Sequence, residues 1–442
     1  MRTYFVRTFG CQMNKHDSER IAGLLAAEGL SPASDPEEAD VVVFNTCCVR
    51  QKAEERLFGQ VSELAGAPGR SDRIIAVGGC VGQKEGERLL SRVPGVDVVF
   101  GTHNIADLPR LLRKAQAGAR IASTQETEDG FASDLPSRRE TPWSAWVSIM
   151  VGCDNHCTYC IVPRVRGTER SRPIEDIARE LDRLAQDGVR EVTLLGQNVN
   201  SYGRDIYGEP RFSEVLRRAA RSGIDRVRFT TSHPKDLSAD TLQVMAEEEA
   251  VCPALHLPFQ AGSTRILRAM GRHYTKEQYL SLVELAYATV PGLALSTDIM
   301  VGFPGETEED FADTMDVVER CRFDQAFTFI FSPREGTPAA SMPDQVSREE
   351  ANSRFERLVE AVNASALEKN RAYVGTVQKV LVEGPSKKDP RMLSGRTPSN
   401  KVVHAPIPED RDIAELTGSV VSVEVSEAHT WFLAGTVRGD DN

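Results

Sequence analysis

Along the first 120 positions, short runs of β-branched and aromatic residues alternate with amphipathic stretches of helical period. The runs are "TYFVRT" (3–8), "VVVFNT" (41–46), "IIAVGG" (74–79) and "VDVVFG" (96–101). Between them lie "DSERIAGLLAAEG", "QKAEERLFGQVSEL" and "KEGERLLSRV". Strand, helix and strand at this spacing predict a parallel sheet covered by helices, one α/β domain over residues 1–118.

Polar composition then takes over, with "STQETEDG" and "PSRRETP", and predicts a linker over 119–143. A second alternating series follows: "WVSIMV" (146–151), "REVTLLG" (190–196), "RVRFTT" (226–231), "ALHLPF" (254–259), "LALSTDIMV" (293–301) and "AFTFIF" (326–331). Six strand–helix repeats predict a partial (βα)6 barrel over 144–370, ending in the long charged helix "SREEANSRFERLVEAVNASALEKNRAYV". Residues 371–440 change character again. Short strands broken by Gly, Pro and Ser, from "TVQKVLVEG" to "TWFLAGTV", predict a small all-β barrel.

Composition alters this picture only locally. The chain is 40% hydrophobic and 27% charged, and has neither a signal-like apolar start nor an apolar run long enough to span a membrane, so a cytoplasmic location is expected. A net charge of -12 gives no hint of a nucleic-acid partner, so any basic surface must be local. The 9 cysteines, an odd number without an export signal, argue for metal or redox chemistry over a disulfide framework.

Three of them fall within "MVGCDNHCTYCIVPRVRG" (150–167), as Cys153, Cys157 and Cys160. The loop follows the first barrel strand, at the end of a βα barrel where active sites gather. Zinc would need four ligands, with His156 available as the fourth. A four-iron cluster on three cysteines keeps one iron open for a substrate or cofactor. A second trio is dispersed: Cys11 in "TFGCQMN", Cys47 in "NTCCVR" and Cys80 in "VGGCVGQ" each follow a predicted strand. Parallel strands bring their C-terminal ends to one sheet edge, so these three are expected to converge. Cys48, Cys252 and Cys321 are assigned to packing.

The spacing Cys153, Cys157, Cys160, with Tyr159 before the last cysteine, resembles the radical S-adenosylmethionine superfamily. The resemblance implies a 4Fe-4S cluster whose open iron chelates S-adenosylmethionine, and reductive cleavage to a 5′-deoxyadenosyl radical. Taken together, "TFGCQMN... NTCCVR... GGC... GCDNHCTYCIVPRVRG" is similar to the methylthiotransferase family over essentially the whole chain. That likeness implies a flavodoxin-like N-terminal domain with an auxiliary 4Fe-4S cluster on Cys11, Cys47 and Cys80, a radical SAM barrel, and an RNA-binding TRAM barrel. Within the family, "LLGQNVNSYG" and "VLVEGPSKKDP...GRTPSNKVV" most resemble the branch that acts on isopentenyladenosine beside the tRNA anticodon. The other branches act on threonylcarbamoyl adenosine in tRNA or on a ribosomal-protein aspartate. The implied mechanism uses two cofactor molecules and sulfur held on the auxiliary cluster. It therefore implies the tRNA anticodon stem-loop, an electron-donor protein and a sulfur source as partners, for a chain expected to act as a monomer.

Gly196 and Gln197 match the superfamily's contact to the cofactor's amino group, with Gln in place of the usual acid. Ser232, Gln260 and Asp298 sit at other predicted strand ends and are further candidates for the cofactor pocket, although the glycines beside them also serve as turns. Two basic segments are candidates for RNA phosphates. One is "RVRGTERSR", with Arg164 and Arg166; the other holds Lys379, Lys387, Lys388, Arg391, Arg396 and Lys401 against Glu383 and Asp389, six cations against two anions for a net +4. The reading from another class is an RNA-binding protein whose metal sites are structural.

Overall fold

The computed structural model describes residues 1–47, 51–66, 73–126 and 134–439. In the N-terminal domain a six-stranded sheet runs, in spatial order, Ser31–Pro32, Thr3–Phe9, Val41–Thr46, Ile74–Gly78, Val98–Phe100 and Ile121–Ser123. Every pairing is parallel. Val41–Thr46 is buried at all positions, as a strand covered on both faces must be. Val42, Phe44, Ile75 and Val77 pack under Leu57, Val61 and Val81, while Val41, Val43, Ile74 and Ala76 pack under Ile21, Leu25, Leu108 and Leu111. The chain order reverses between Thr3–Phe9 and Val41–Thr46, which makes that crevice the switch point of the sheet.

The N-terminal sheet reaches into the segment expected to be linker, because Ile121–Ser123 pairs with Val98–Phe100. Part of the rest is also held. Arg138 N–H donates to the Glu19 carbonyl at 2.9 Å, and a Cβ on Gly23 would stand 2.1 Å from the Pro136 carbonyl oxygen, so helix Gln12–Ala27 admits the segment only because Gly23 is bare.

The central domain is the expected series of six parallel strands. Ser144–Ser148, Glu191–Leu195 and Arg226–Phe229 form one trio; Ala254–His256, Ala294–Val301 and Gln325–Ile330 form the next, joined through a Val227–Val251 bridge. No first-to-last pairing closes the barrel among the described residues. The first strand ends earlier than its apolar run, because Met150–Val151 turns aside to pair with Arg170–Ser171. Helix Arg348–Arg371 starts at a capping box in which Ser347 Oγ accepts from Glu350 N–H at 3.2 Å.

Strands Val377–Pro385, Met392–Arg396, Val402–Pro406, Val420–Ala428 and Leu433–Val437 close into the small C-terminal barrel. It docks at the N-terminal ends of the central strands, away from the cysteine loop. Arg226 donates to the carbonyls of Arg396 at 2.8 Å and Lys379 at 2.9 Å. Arg228 donates to those of Pro398 at 2.9 Å and Thr397 at 2.8 Å, and pairs with Glu191 at 2.8 Å. No described helix is long and apolar enough to cross a membrane.

Candidate functional site

Gly152 makes the turn into the Cys153–Cys160 loop at φ +77°, where a Cβ would lie 1.8 Å from the Thr168 carbonyl oxygen. The loop is then pinned from several sides. Cys153 N–H donates to Gly167 at 3.1 Å, Cys160 N–H to Cys157 at 3.0 Å, and Thr158 N–H to Met270 at 2.9 Å. Arg272, in a segment that no motif marks, is 6% exposed and points its guanidinium at Cys157 Sγ, 3.9 Å away. Burial pushes the Cys153 thiol up to about 11 and the Cys160 thiol to about 12, with the Arg272 charge opposing it at Cys160. Both are therefore thiols at neutral pH, and metal binding must displace their protons.

The dispersed trio assembles at the switch point. Cys11 caps helix Gln12–Ala27, Cys47 follows Val41–Thr46, and Cys80 opens the helix Gly79–Glu85. Gly10, at φ +134°, lets the segments meet: a Cβ there would stand 2.3 Å from Cys47 Cβ. The Cys47 thiol reaches both Cys11 and Cys80 by hydrogen bonds and is raised by them. Cys11 is lowered to about 6, first by the hydrogen bond from Cys47 and further by the Arg166 charge, against the effect of burial. The end of a 16-residue helix adds its dipole in the same sense. Among the described residues no His, Cys, Asp and Glu side chains gather as ligands of a single ion. Cys252 and Cys321 are buried as expected, and Cys48 lies outside the described residues.

The rim candidates come out differently from one another. Gly196 lies against Met150, whose Cγ would be 2.7 Å from an added Cβ, and Gln197 beside it is half-buried. Ser232 is 4% exposed and its Oγ has no hydrogen-bond partner, so a polar atom is left facing the rim. Gln260 holds φ +67° and Thr231 +64°, two non-glycine strand ends in the left-handed region, as happens at binding sites. Asp298 lies 3.6 Å from His256 Nε2. By donor type, the thiols of the two trios suit an iron-sulfur cluster and the unpartnered Ser232 hydroxyl suits the polar groups of S-adenosylmethionine.

Two of the expected RNA contacts need correction. Arg166 is 5% exposed and pairs with Asp17 at 2.8 Å across the domain boundary, its charge acting on Cys11 and Cys80. Lys401 is 7% exposed, pairs with Asp324 at 2.7 Å, and serves the docking of the C-terminal barrel. Neither has a free face for phosphate. Arg164, Lys387, Lys388 and Arg391 are exposed, Arg391 pairing with Asp389 at 2.9 Å, and half-exposed Arg396 pairs with Glu383 at 3.0 Å.

Family models match along the chain in the same order as the folded units: "Uncharacterized protein family UPF0004" over 3–101, "Radical SAM superfamily" over 147–318 and "TRAM domain" over 371–437. A relative from Carboxydothermus hydrogenoformans, named tRNA-2-methylthio-N(6)-dimethylallyladenosine synthase, is 47% identical, covering 99% of each chain. One of the same name from Acidothermus cellulolyticus is 52% identical over 97% of this chain and 86% of its own. This chain belongs to that synthase family. Radical SAM membership implies a 4Fe-4S cluster and S-adenosylmethionine, and the family's members are transferases. Among solved structures, the radical S-adenosylmethionine methyltransferase TsrM from Kitasatospora setae matches with a TM-score of 0.56 at 14% identity, over 77% of this chain and 74% of its own. The cobalamin-dependent radical enzyme OxsB matches with 0.53 at 13%, over 82% and 56%. At such identities these two share the fold with the family.

Proposed function

We propose that this enzyme places a methylthio group on C2 of N6-(dimethylallyl)adenosine beside the tRNA anticodon, using two molecules of S-adenosylmethionine and a second, auxiliary 4Fe-4S cluster on Cys11, Cys47 and Cys80. The observation that carries it is the link between the two thiol trios. Cys160 stands two residues before helix Val162–Arg166, whose last residue pairs with Asp17 and sets its charge beside Cys11 and Cys80. A loop for radical generation and a site for sulfur thus share one short element.

When bound, the cluster and cofactor supply the electron and the radical. The chain supplies the surroundings. Arg272 holds a fixed positive charge against Cys157, while the loop's hydrogen bonds to Gly167 and Met270 fix where its thiols point. Gly196, Gln197, Ser232 and Gln260 line the rim that would receive the cofactor's polar groups, with Asp298 inside the strand Ala294–Val301 below it. Arg164, Lys387, Lys388, Arg391 and Arg396 are the proposed contacts to tRNA phosphates. An electron-donor protein and a sulfur source complete the partners, and the chain is proposed to act as a monomer.

The test is iron and sulfide content after anaerobic reconstitution, for wild type and Cys11→Ala. About eight irons per chain, falling to about four in the variant with 5′-deoxyadenosine formation retained, supports two clusters. Zinc, or about four irons in both proteins, makes the N-terminal thiols structural and favours an RNA-binding protein without sulfur insertion. In tRNA from a deletion strain, mass spectrometry should find dimethylallyladenosine lacking its methylthio group. Loss from a ribosomal protein, or from threonylcarbamoyl adenosine, would move the substrate to another branch.

A further inference from the structure

The hollow of the central barrel holds two phenylalanines that none of the contacts above explains. In the last two strands Asp298 stands opposite Phe327, and Met300 opposite Phe329. Thr297, Ile299 and Val301 alternate with them and are buried on the opposite, helix-covered face. Asp298, Met300, Phe327 and Phe329 therefore face the hollow. His256 agrees, its ring edge-on to Phe327 at 5.9 Å and its Nε2 3.6 Å from Asp298.

Phe327 is 44% and Phe329 38% exposed, whereas Phe259, Phe303, Phe311 and Phe323 of the same domain are at most 1% exposed. Two bare rings on the concave face of a barrel mark room for an apolar group. They lie in mid-strand, between the C-terminal barrel docked at Asp324 and the rim that carries the cysteine loop.

We propose that Phe327 and Phe329, with Met300, receive the dimethylallyl branch on N6 of the target adenosine and so select the prenylated base; this deepens the proposed function and rests on it. That branch is the one wholly hydrocarbon part of either ligand. Aromatic and thioether walls accept it without a hydrogen bond. A threonylcarbamoyl group would instead set a carboxylate and a hydroxyl against rings that offer them no partner, close to the like charge of Asp298.

The experiment measures equilibrium binding of two anticodon stem-loop RNAs to the reconstituted full-length protein, one carrying dimethylallyladenosine at the target position and one plain adenosine. Wild type should prefer the prenylated RNA. Phe329→Ala and Phe327→Ala should lower that preference by about tenfold, with the plain stem-loop and S-adenosylmethionine bound as before. Phe329→Tyr, which keeps the ring volume but puts a hydroxyl in the apolar space, should lower it as well and guards against a folding defect, with iron content as the check. A preference kept in all three variants overturns the inference. Weakened S-adenosylmethionine binding with the RNA preference intact assigns the rings to the cofactor's adenine and overturns it too. No preference in the wild type removes the proposed substrate, and the inference with it.

Discussion

The two cysteine trios bring their thiols together by opposite routes. Cys153, Cys157 and Cys160 are neighbours in sequence, held by one glycine-hinged loop whose backbone is bonded to Gly167 and Met270. Cys11, Cys47 and Cys80 come from three strand ends and meet only because the sheet reverses order between Thr3–Phe9 and Val41–Thr46. Their electrostatics differ in step. Burial dominates in the loop and holds two of its thiols protonated, while at the switch point a thiol hydrogen bond and the Arg166 charge pull Cys11 the other way. A local motif brings its own geometry; a dispersed one borrows both geometry and charge from the fold around it.

The strongest break of this contrast is Arg166→Ala. It leaves the Asp17 carboxylate, 3% exposed, without its cationic partner and with only the buried His16 ring, 3.6 Å away, beside it. A loss of about 3–5 kcal/mol in urea unfolding of the N-terminal domain is expected. An unchanged midpoint would mean that the trio does not depend on charge from the barrel.

Paired glycine substitutions sharpen it next. Gly10→Ala forces a Cβ to 2.3 Å from Cys47 at φ +134°, at about 1–3 kcal/mol, and should lower iron at the dispersed trio while 5′-deoxyadenosine formation persists. Gly152→Ala presses on Thr168 instead and should abolish that cleavage while sparing the N-terminal irons. Both variants losing both activities would show the two sites to be one cooperative unit.

The smallest effect is chemical. In the metal-free protein Cys11 titrates at about 6, so its alkylation rate should rise through that pH and level off above pH 7. Cys153 and Cys160, at about 11 and about 12, should still be gaining reactivity at pH 10. At pH 7 Cys11 should be modified at least about tenfold faster, as peptide mapping can measure. Equal rates would erase the electrostatic difference.

The sequence made the contiguous loop legible because its spacing is its structure, and the dispersed trio because a parallel sheet has one carboxyl edge. Charge was read less well. Arg166 and Lys401 stand in basic segments, yet the acids that claim them, Asp17 and Asp324, lie 149 and 77 positions away by number and are adjacent only after folding. Arg272 was missed for the same reason, since a lone arginine in "RAMGRHYT" carries no mark of the sulfur it faces. Ile121–Ser123 reads as linker because a three-residue edge strand is too short to show a period.

The docking of the C-terminal barrel has a consequence for how the chain can change over generations. Arg226 and Arg228 grip four main-chain carbonyls, at 379, 396, 397 and 398, rather than side chains. Apart from the Lys401–Asp324 pair, these grips hold the module by its backbone path, which most substitutions leave alone. Lys387, Lys388 and Arg391, on the turn leading into Met392–Arg396, take no part in that grip and are open to substitution, while the anchoring end keeps its shape.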